Sequence, residues 1–162
     1  MEKKFKKINT AFGQQCFACG PENVHGLKME FYTDEESLFS DINIPEHLCG
    51  WDNLIHGGVI STILDEIMAW TGIYLLKKVV VTKSMNVEFL KPLYITDKLK
   101  AEGKIFQINK RTEGVMHGFI FNQKGDLCAK ATGYYALFNM DTIKRIKIIS
   151  EEGLNVVKNF VE

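Results

Sequence analysis

The chain has no net charge: 20 Lys and Arg stand against 20 Asp and Glu. That balance removes the electrostatic case for nucleic acid as a main partner. Proline is scarce, with three among 162 residues, and no repeat or low-complexity stretch occurs. Nothing marks a linker, so residues 1–162 read as one domain. Within it, 1–28 form an irregular lead-in and 140–162 a tail with a short helix after Ser150. No apolar run is both long and charge-free, because the best candidate is broken by Asp65 and Glu66. The basic start MEKKFKK leads into no apolar signal core. The expectation is a cytoplasmic protein with no membrane span. Also missing are the G-x-S-x-G of a serine hydrolase, the G-x-G-x-x-G of a dinucleotide fold and the P-loop.

Cysteine is sparse too: Cys16, Cys19, Cys49 and Cys128. In an unsecreted chain these are reduced thiols. Cys16 and Cys19 form a C-x-x-C which, with His47 and Cys49, would supply four zinc ligands. A second C-x-x-C is absent, so a turn with small buried cysteines is the favoured reading and no metal is expected.

What is present begins with IHGGVISTILDEIMAWTGIYLL, residues 55–76. It is apolar nearly all round (Val59, Ile60, Ile63, Leu64, Ile67, Met68, Trp70, Ile73), so it predicts a helix covered on most sides. The sequence after it turns to β texture. Residues 79–90 alternate, with Met85, Val87 and Phe89 on one face and Thr82, Ser84, Asn86 and Glu88 on the other. Strands are predicted at 28–33, 38–44, 98–108, 115–122 and 127–138, with a hairpin turn at 123–126. One long helix among antiparallel strands gives an α+β fold, in which a curved sheet wraps the helix.

His56-Gly57-Gly58 opens that helix. Its first N–H groups lack intrahelical partners, and the glycines let a ligand come close. The helix start also favours developing negative charge, which suits an oxyanion hole for an ester or thioester carbonyl. A charged group inside an apolar helix is costly unless it is paired or shifted in pKa. Asp65 therefore reads either as a general base or nucleophile or as a buried structural acid that bonds a backbone group, and Glu66, about 100° around the helix, as an interface or structural acid. Asp65 lies nine positions beyond His56, about 13.5 Å of rise and half a turn out of direction. One chain cannot bring both to one carbonyl, so this spacing predicts a dimer with shared sites. Lys110-Arg111, near a strand end, read first as a solvated turn and second as candidates for nucleotide phosphates. His25, His47 and His117 are scattered and read as local hydrogen-bonding residues.

HGGVISTILDE resembles the helix signature of PaaI-like hotdog-fold acyl-CoA thioesterases. CFACGPENVHGLKMEFY is similar to the lead-in of one branch, and KSMNVEFLKPL and CAKATGYYALF to the later strands, so the resemblance covers residues 14–139. It implies a hotdog fold of five or six antiparallel strands around the helix, in dimers or tetramers of dimers. It further implies hydrolysis of acyl-CoA to free acid and CoA, with no metal or other cofactor. On this resemblance Asp65 is the catalytic acid, the Gly57 N–H polarises the carbonyl beside His56, and Thr82 orients water, with donor and acid from opposite subunits. Gly58 and Asn53 would help bind substrate, together with Lys110 and Arg111. The chain departs from many relatives at Gly50, where they carry an amide; Asn53 is the nearby substitute. The rival readings are a non-catalytic acyl-CoA-binding module and a lyase.

Overall fold

A computed structural model describes residues 5–10 and 15–161. Part of the lead-in, including most of its basic start, lies outside the described residues. One antiparallel sheet carries seven strands: β1 (Lys6–Lys7), β2 (Tyr32–Thr33), β3 (Leu38–Ile42), β4 (Val79–Phe89), β5 (Leu99–Lys110), β6 (Glu113–Phe121) and β7 (Leu127–Phe138). Their spatial order is β1-β2-β3-β5-β6-β7-β4. The count exceeds the expected five or six because β1 and β2 are two-residue strands that extend one edge. The strand expected over 28–33 shrinks to its last two residues: Lys28 takes a left-handed backbone, φ 49°, and the Met29 N–H bonds to the Ala18 carbonyl of the lead-in at 2.9 Å.

The central helix α1 spans Gly57–Leu76. His56 caps its start and Lys77, at φ 53°, closes its end in the left-handed conformation. Ile63, Leu64, Ile67 and Met68 are wholly buried in the core that α1 shares with the sheet. Burial of each contributes about 1.5–3 kcal/mol. The contact is close because β5 carries Gly103: a Cβ there would collide with the Thr71 hydroxyl and come within 2.8 Å of the Ile67 carbonyl.

The sheet does not wrap α1 alone. Ala18, Cys19, Leu27, Met29 and Phe31, from the lead-in and the segment after it, join the same core. Phe31 and Phe160 both lie against Trp70, at ring separations of 5.5 and 5.4 Å. Phe160 belongs to α3 (Glu151–Val161), which follows α2 (Met140–Ile146). The 140–162 tail is thus mostly helical, and it covers a side of α1 that the sheet leaves open. By length and composition α1 would suffice to cross a membrane, despite its two acids, with a mean hydropathy of 1.4. Half of that stretch is buried inside the protein, as the core helix of a globular domain would be.

β4 is the last strand of the sheet, and one feature of it positions the site. Thr82 pairs with Tyr135 and Ser84 with Tyr134, so Lys83 is an extra, bulged residue. The bulge resets the alternation. Thr82 faces α1, as do Met85 and Val87 beyond it, whereas strict period two places Thr82 on the opposite face from them.

Candidate active site

Asp65 sits halfway along α1 and faces the sheet end formed by β4 and β7. The Thr82 hydroxyl donates to Asp65 Oδ1 at 2.8 Å, and the Tyr135 hydroxyl to the same oxygen at 3.2 Å. Tyr135 is buried, 1% exposed, and its hydroxyl also lies 3.5 Å from the Asp65 backbone carbonyl. Burial, and then the Asp65 charge, hold the Tyr135 phenol protonated, well above its ordinary range. Two neutral donors thus fix one carboxylate oxygen and leave Oδ2 with no bond among the described residues.

Tyr135 was not foreseen. The run GYYALF offers two tyrosines, and only the strand's facing separates buried Tyr135 from Tyr134, which is 48% exposed. One signal is Gly133. A Cβ at that position would stand 2.5 Å from the Tyr135 ring and 2.8 Å from its hydroxyl, so the glycine makes room for the side chain.

The second cluster lies at the start of α1. His56 Nδ1 accepts from the Gly58 N–H at 3.0 Å, and the His56 carbonyl accepts from Val59 and Ile60 at 2.9 and 3.2 Å. The Gly57 N–H has no partner among the described residues. It borders an open cleft of about 340 Å³ lined by Leu54, Ile60, Phe89, Leu90 and Pro92 among others. Asn53 lies in the preceding loop, where its carbonyl accepts from Ile95 at 2.9 Å and its side chain is exposed. Gly50 is packed against His56, with a hypothetical Cβ 3.3 Å from the His56 Cα.

The structure brings Asp65 and Thr82 together, and separately His56, Gly57 and Gly58. It does not bring the two groups together within one chain. Gly57 and Asp65 are eight residues apart on one helix, about 12 Å along its axis. Lys110 and Arg111 sit at the β5–β6 turn, both exposed.

Of the remaining candidates, His25 and His47 are neighbours, not scattered: His47 Nε2 lies 3.2 Å from the His25 carbonyl. His117 stacks on Phe106 at 4.2 Å. The four-ligand group of Cys16, Cys19, His47 and Cys49 does not form; Cys16 and Cys19 meet Glu66 instead. Glu66 Oε1 accepts from the Trp70 indole N–H at 3.0 Å, and burial pushes its carboxyl up to about 7. Glu66 is thus tied to the chain's own core and not set on an open face.

Against known proteins, residues 52–129 match the model of the thioesterase superfamily. The match covers just under half of the chain, 78 of its 162 residues. A curated relative, an uncharacterised protein of Schizosaccharomyces pombe, is 31% identical over 93 residues, or 54% of this chain and 53% of the relative. The chain thus matches only about half the length of that relative. Among solved structures, a thioesterase superfamily protein aligns with TM-score 0.71 at 19% identity, over 76% of this chain and 60% of its own. The PaaI protein of Escherichia coli, from a phenylacetic acid degradation operon, aligns with TM-score 0.63 at 20% identity, over 70% and 81%. A hypothetical thioesterase of Streptococcus pneumoniae, solved with coenzyme A, aligns with TM-score 0.59 at 24% identity, over 65% and 80%. The fold is therefore the hotdog fold of PaaI-like thioesterases.

Proposed function

We propose that the protein is an acyl-CoA thioesterase, with Asp65 as base or nucleophile and the Gly57 N–H of a second subunit as oxyanion donor. The observation that carries this reading is the division of the site. A carboxylate held by two hydroxyls and a helix-start N–H without a partner lie on one helix, too far apart to meet the same carbonyl. The family match and the coenzyme A seen with the streptococcal protein support acyl-CoA as the substrate class.

The free edge of β4 supports a homodimer that closes this gap. Thr82 marks the Asp65 end of the strand. Phe89 marks the Gly57 end, since its ring lies 3.6 Å from where a Gly57 Cβ would be. Antiparallel pairing of two β4 strands about residues 85–86 sets Thr82 of one copy opposite Phe89 of the other. Asp65 then faces the partner's Gly57, twice per dimer. Pairing of two such dimers into a tetramer stays compatible with this arrangement.

In this site the thioester carbonyl rests on the Gly57 N–H, where the helix start favours the charge that develops on oxygen. Water at Asp65 Oδ2 gives up its proton to the carboxylate and attacks the carbonyl carbon. The carbon–sulfur bond breaks, and the thiol leaves with that proton. His56 shapes the helix start and occupies the Gly58 N–H, which makes Gly57 the available donor. Asn53 borders the entrance. The β5–β6 turn lies level with Thr82, because Glu113 pairs with Ala136 and Ala136 with Val81. Lys110, the last residue of β5, and Arg111, in the turn, thus stand two to three strand spacings, about 10–14 Å, from the edge strand and within reach of CoA phosphates.

The test is thiol release from a panel of acyl-CoAs, followed with a thiol reagent. Wild-type protein releases CoA, and Asp65→Asn releases it at least ~100-fold more slowly with its fold intact. Equal turnover by the two proteins overturns the assignment. Tight binding of acyl-CoA with no release identifies a non-catalytic binding module instead.

A further inference from the structure

The lead-in meets α1 at a cluster that the proposed reaction does not use. Cys16, Cys19 and Glu66 each turn a ligand-type atom toward the other two, all within 4.8 Å of one another. Cys16 Sγ lies 3.9 Å from Glu66 Oε1. We infer that Cys16, Cys19 and Glu66 form a binding site for a zinc-class divalent cation that fastens the lead-in to α1.

The local geometry is that of a ligand turn. In Cys16-Phe17-Ala18-Cys19-Gly20 the Gly20 N–H bonds back to the Cys16 carbonyl at 2.9 Å. The Cys19 N–H points at Cys16 Sγ from 3.5 Å. A donor so placed stabilises a thiolate over a thiol. On the helix side, the Trp70 indole holds Glu66 Oε1 at 3.0 Å, the outer hydrogen bond that fixes the direction of a ligating carboxylate.

Charge supports the same conclusion. Among the described residues no Lys or Arg forms an ion pair with Glu66, although exposed acids such as Glu30, Glu113 and Asp126 each have one. All four cysteines are free thiols. Three groups that become anionic on ionisation converge, and no ion pair among the described residues offsets the Glu66 charge. Two thiolates and a carboxylate select zinc, or cobalt in its place, over magnesium or calcium. Ligand atoms around tetrahedral zinc stand about 3.8 Å apart when both are sulfur, so side-chain motion of about 1 Å closes the site. Binding releases the two thiol protons to solvent. Among the described residues no fourth His, Cys, Asp or Glu joins the group, which leaves the fourth position to water. Glu66 points about 100° away from Asp65, so the metal site is separate from the catalytic one.

Cobalt(II) titration of the reduced full-length chain tests this. One equivalent is expected to bind, with a sulfur-to-cobalt charge-transfer band and tetrahedral d–d absorption. The double variant Cys16→Ser/Cys19→Ser loses the band. Glu66→Gln keeps it but binds at least ~10-fold more weakly, and Cys49→Ser behaves as wild type. If the double variant fails to fold, whole-protein mass spectrometry of the wild type gives the answer: zinc protects two thiols from alkylation. Absence of one-to-one uptake, an unchanged band in the double variant, or no protection overturns the site. A Cys16–Cys19 disulfide that forms on purification, with no metal taken up after reduction, does the same.

Discussion

Thr82, on the edge strand, donates its hydroxyl to Asp65, in the middle of the core helix, at 2.8 Å, and this bond joins the two elements at the candidate site. It exists because a single extra residue, Lys83, turns Thr82 inward. Tyr135 adds a second donor to the same oxygen from the neighbouring strand.

Removal of either hydroxyl tests how far they position the acid. Hydrogen bonds to a charged group are worth about 1.5–3 kcal/mol, or about 10- to 100-fold in rate if the bond serves the transition state. Thr82→Val is expected to lower kcat for acyl-CoA by that factor with little change in KM, and Tyr135→Phe likewise. The double variant should lose more than either alone. Steady-state kinetics with thermal melts checks this, and unchanged kcat in both single variants removes the positioning role.

A shared site makes a complementation experiment decisive. Gly57→Pro deletes the N–H but suits the first position of a helix, and His56, at φ −59° and ψ 135°, already has the backbone a residue before proline prefers. Gly57→Pro and Asp65→Asn should each be nearly inactive. Refolded together in equal amounts, they should recover about one quarter of wild-type activity, because half of the dimers are mixed and each mixed dimer has one intact site. If the mixture stays as inactive as its parts, the two-chain site is wrong.

The proposed carrier contacts of Lys110 and Arg111 are separable from the chemistry. Lys110→Ala/Arg111→Ala should raise KM for acyl-CoA while leaving short thioesters without the nucleotide unaffected. Parallel kinetics on the two substrate types reads this directly, and an equal effect on both assigns the turn a different role.

The Glu66 carboxyl, pushed up to about 7 by burial from an ordinary 4.5, predicts a pH signature in protein stripped of metal with a chelator. A folded-state value above the unfolded one means that the protonated form favours folding. Relative to Glu66→Gln, the stabilisation is full below about pH 4.5 and is lost as pH rises through about 7. The shift amounts to about 3 kcal/mol. Denaturant midpoints of the two proteins across this range should diverge with rising pH, and parallel curves would refute the shift.

Much of this architecture was legible in the sequence. His56-Gly57-Gly58 announced the start of α1, its unbroken apolar surface required cover on several sides, and the spacing to Asp65 kept the acid and the helix start apart within one chain. What escaped depended on contacts between residues distant in sequence or on a local irregularity. Period two put Thr82 on the wrong face because a bulge has no sequence mark. Tyr135 cannot be told from Tyr134 without knowing which side of β7 faces α1. The C-x-x-C was visible, but Glu66, the side chain that its sulfurs meet, sits in a helix whose rotation about its axis sequence does not fix. The extent of β2 also escapes sequence, because the residues before it bond to the lead-in and Lys28 adopts a backbone that lysine seldom takes.

The extra residue in β4 has a consequence for how chains of this kind are aligned. A gap of one position between Val81 and Ser84 is not neutral drift in a loop: loss of Lys83 would rotate the hydroxyl at 82 into solvent while every apolar side chain beyond it kept its place. Two relatives could then share the helix, the acid and the whole hydrophobic pattern, and still differ in whether anything on that strand reaches the carboxylate.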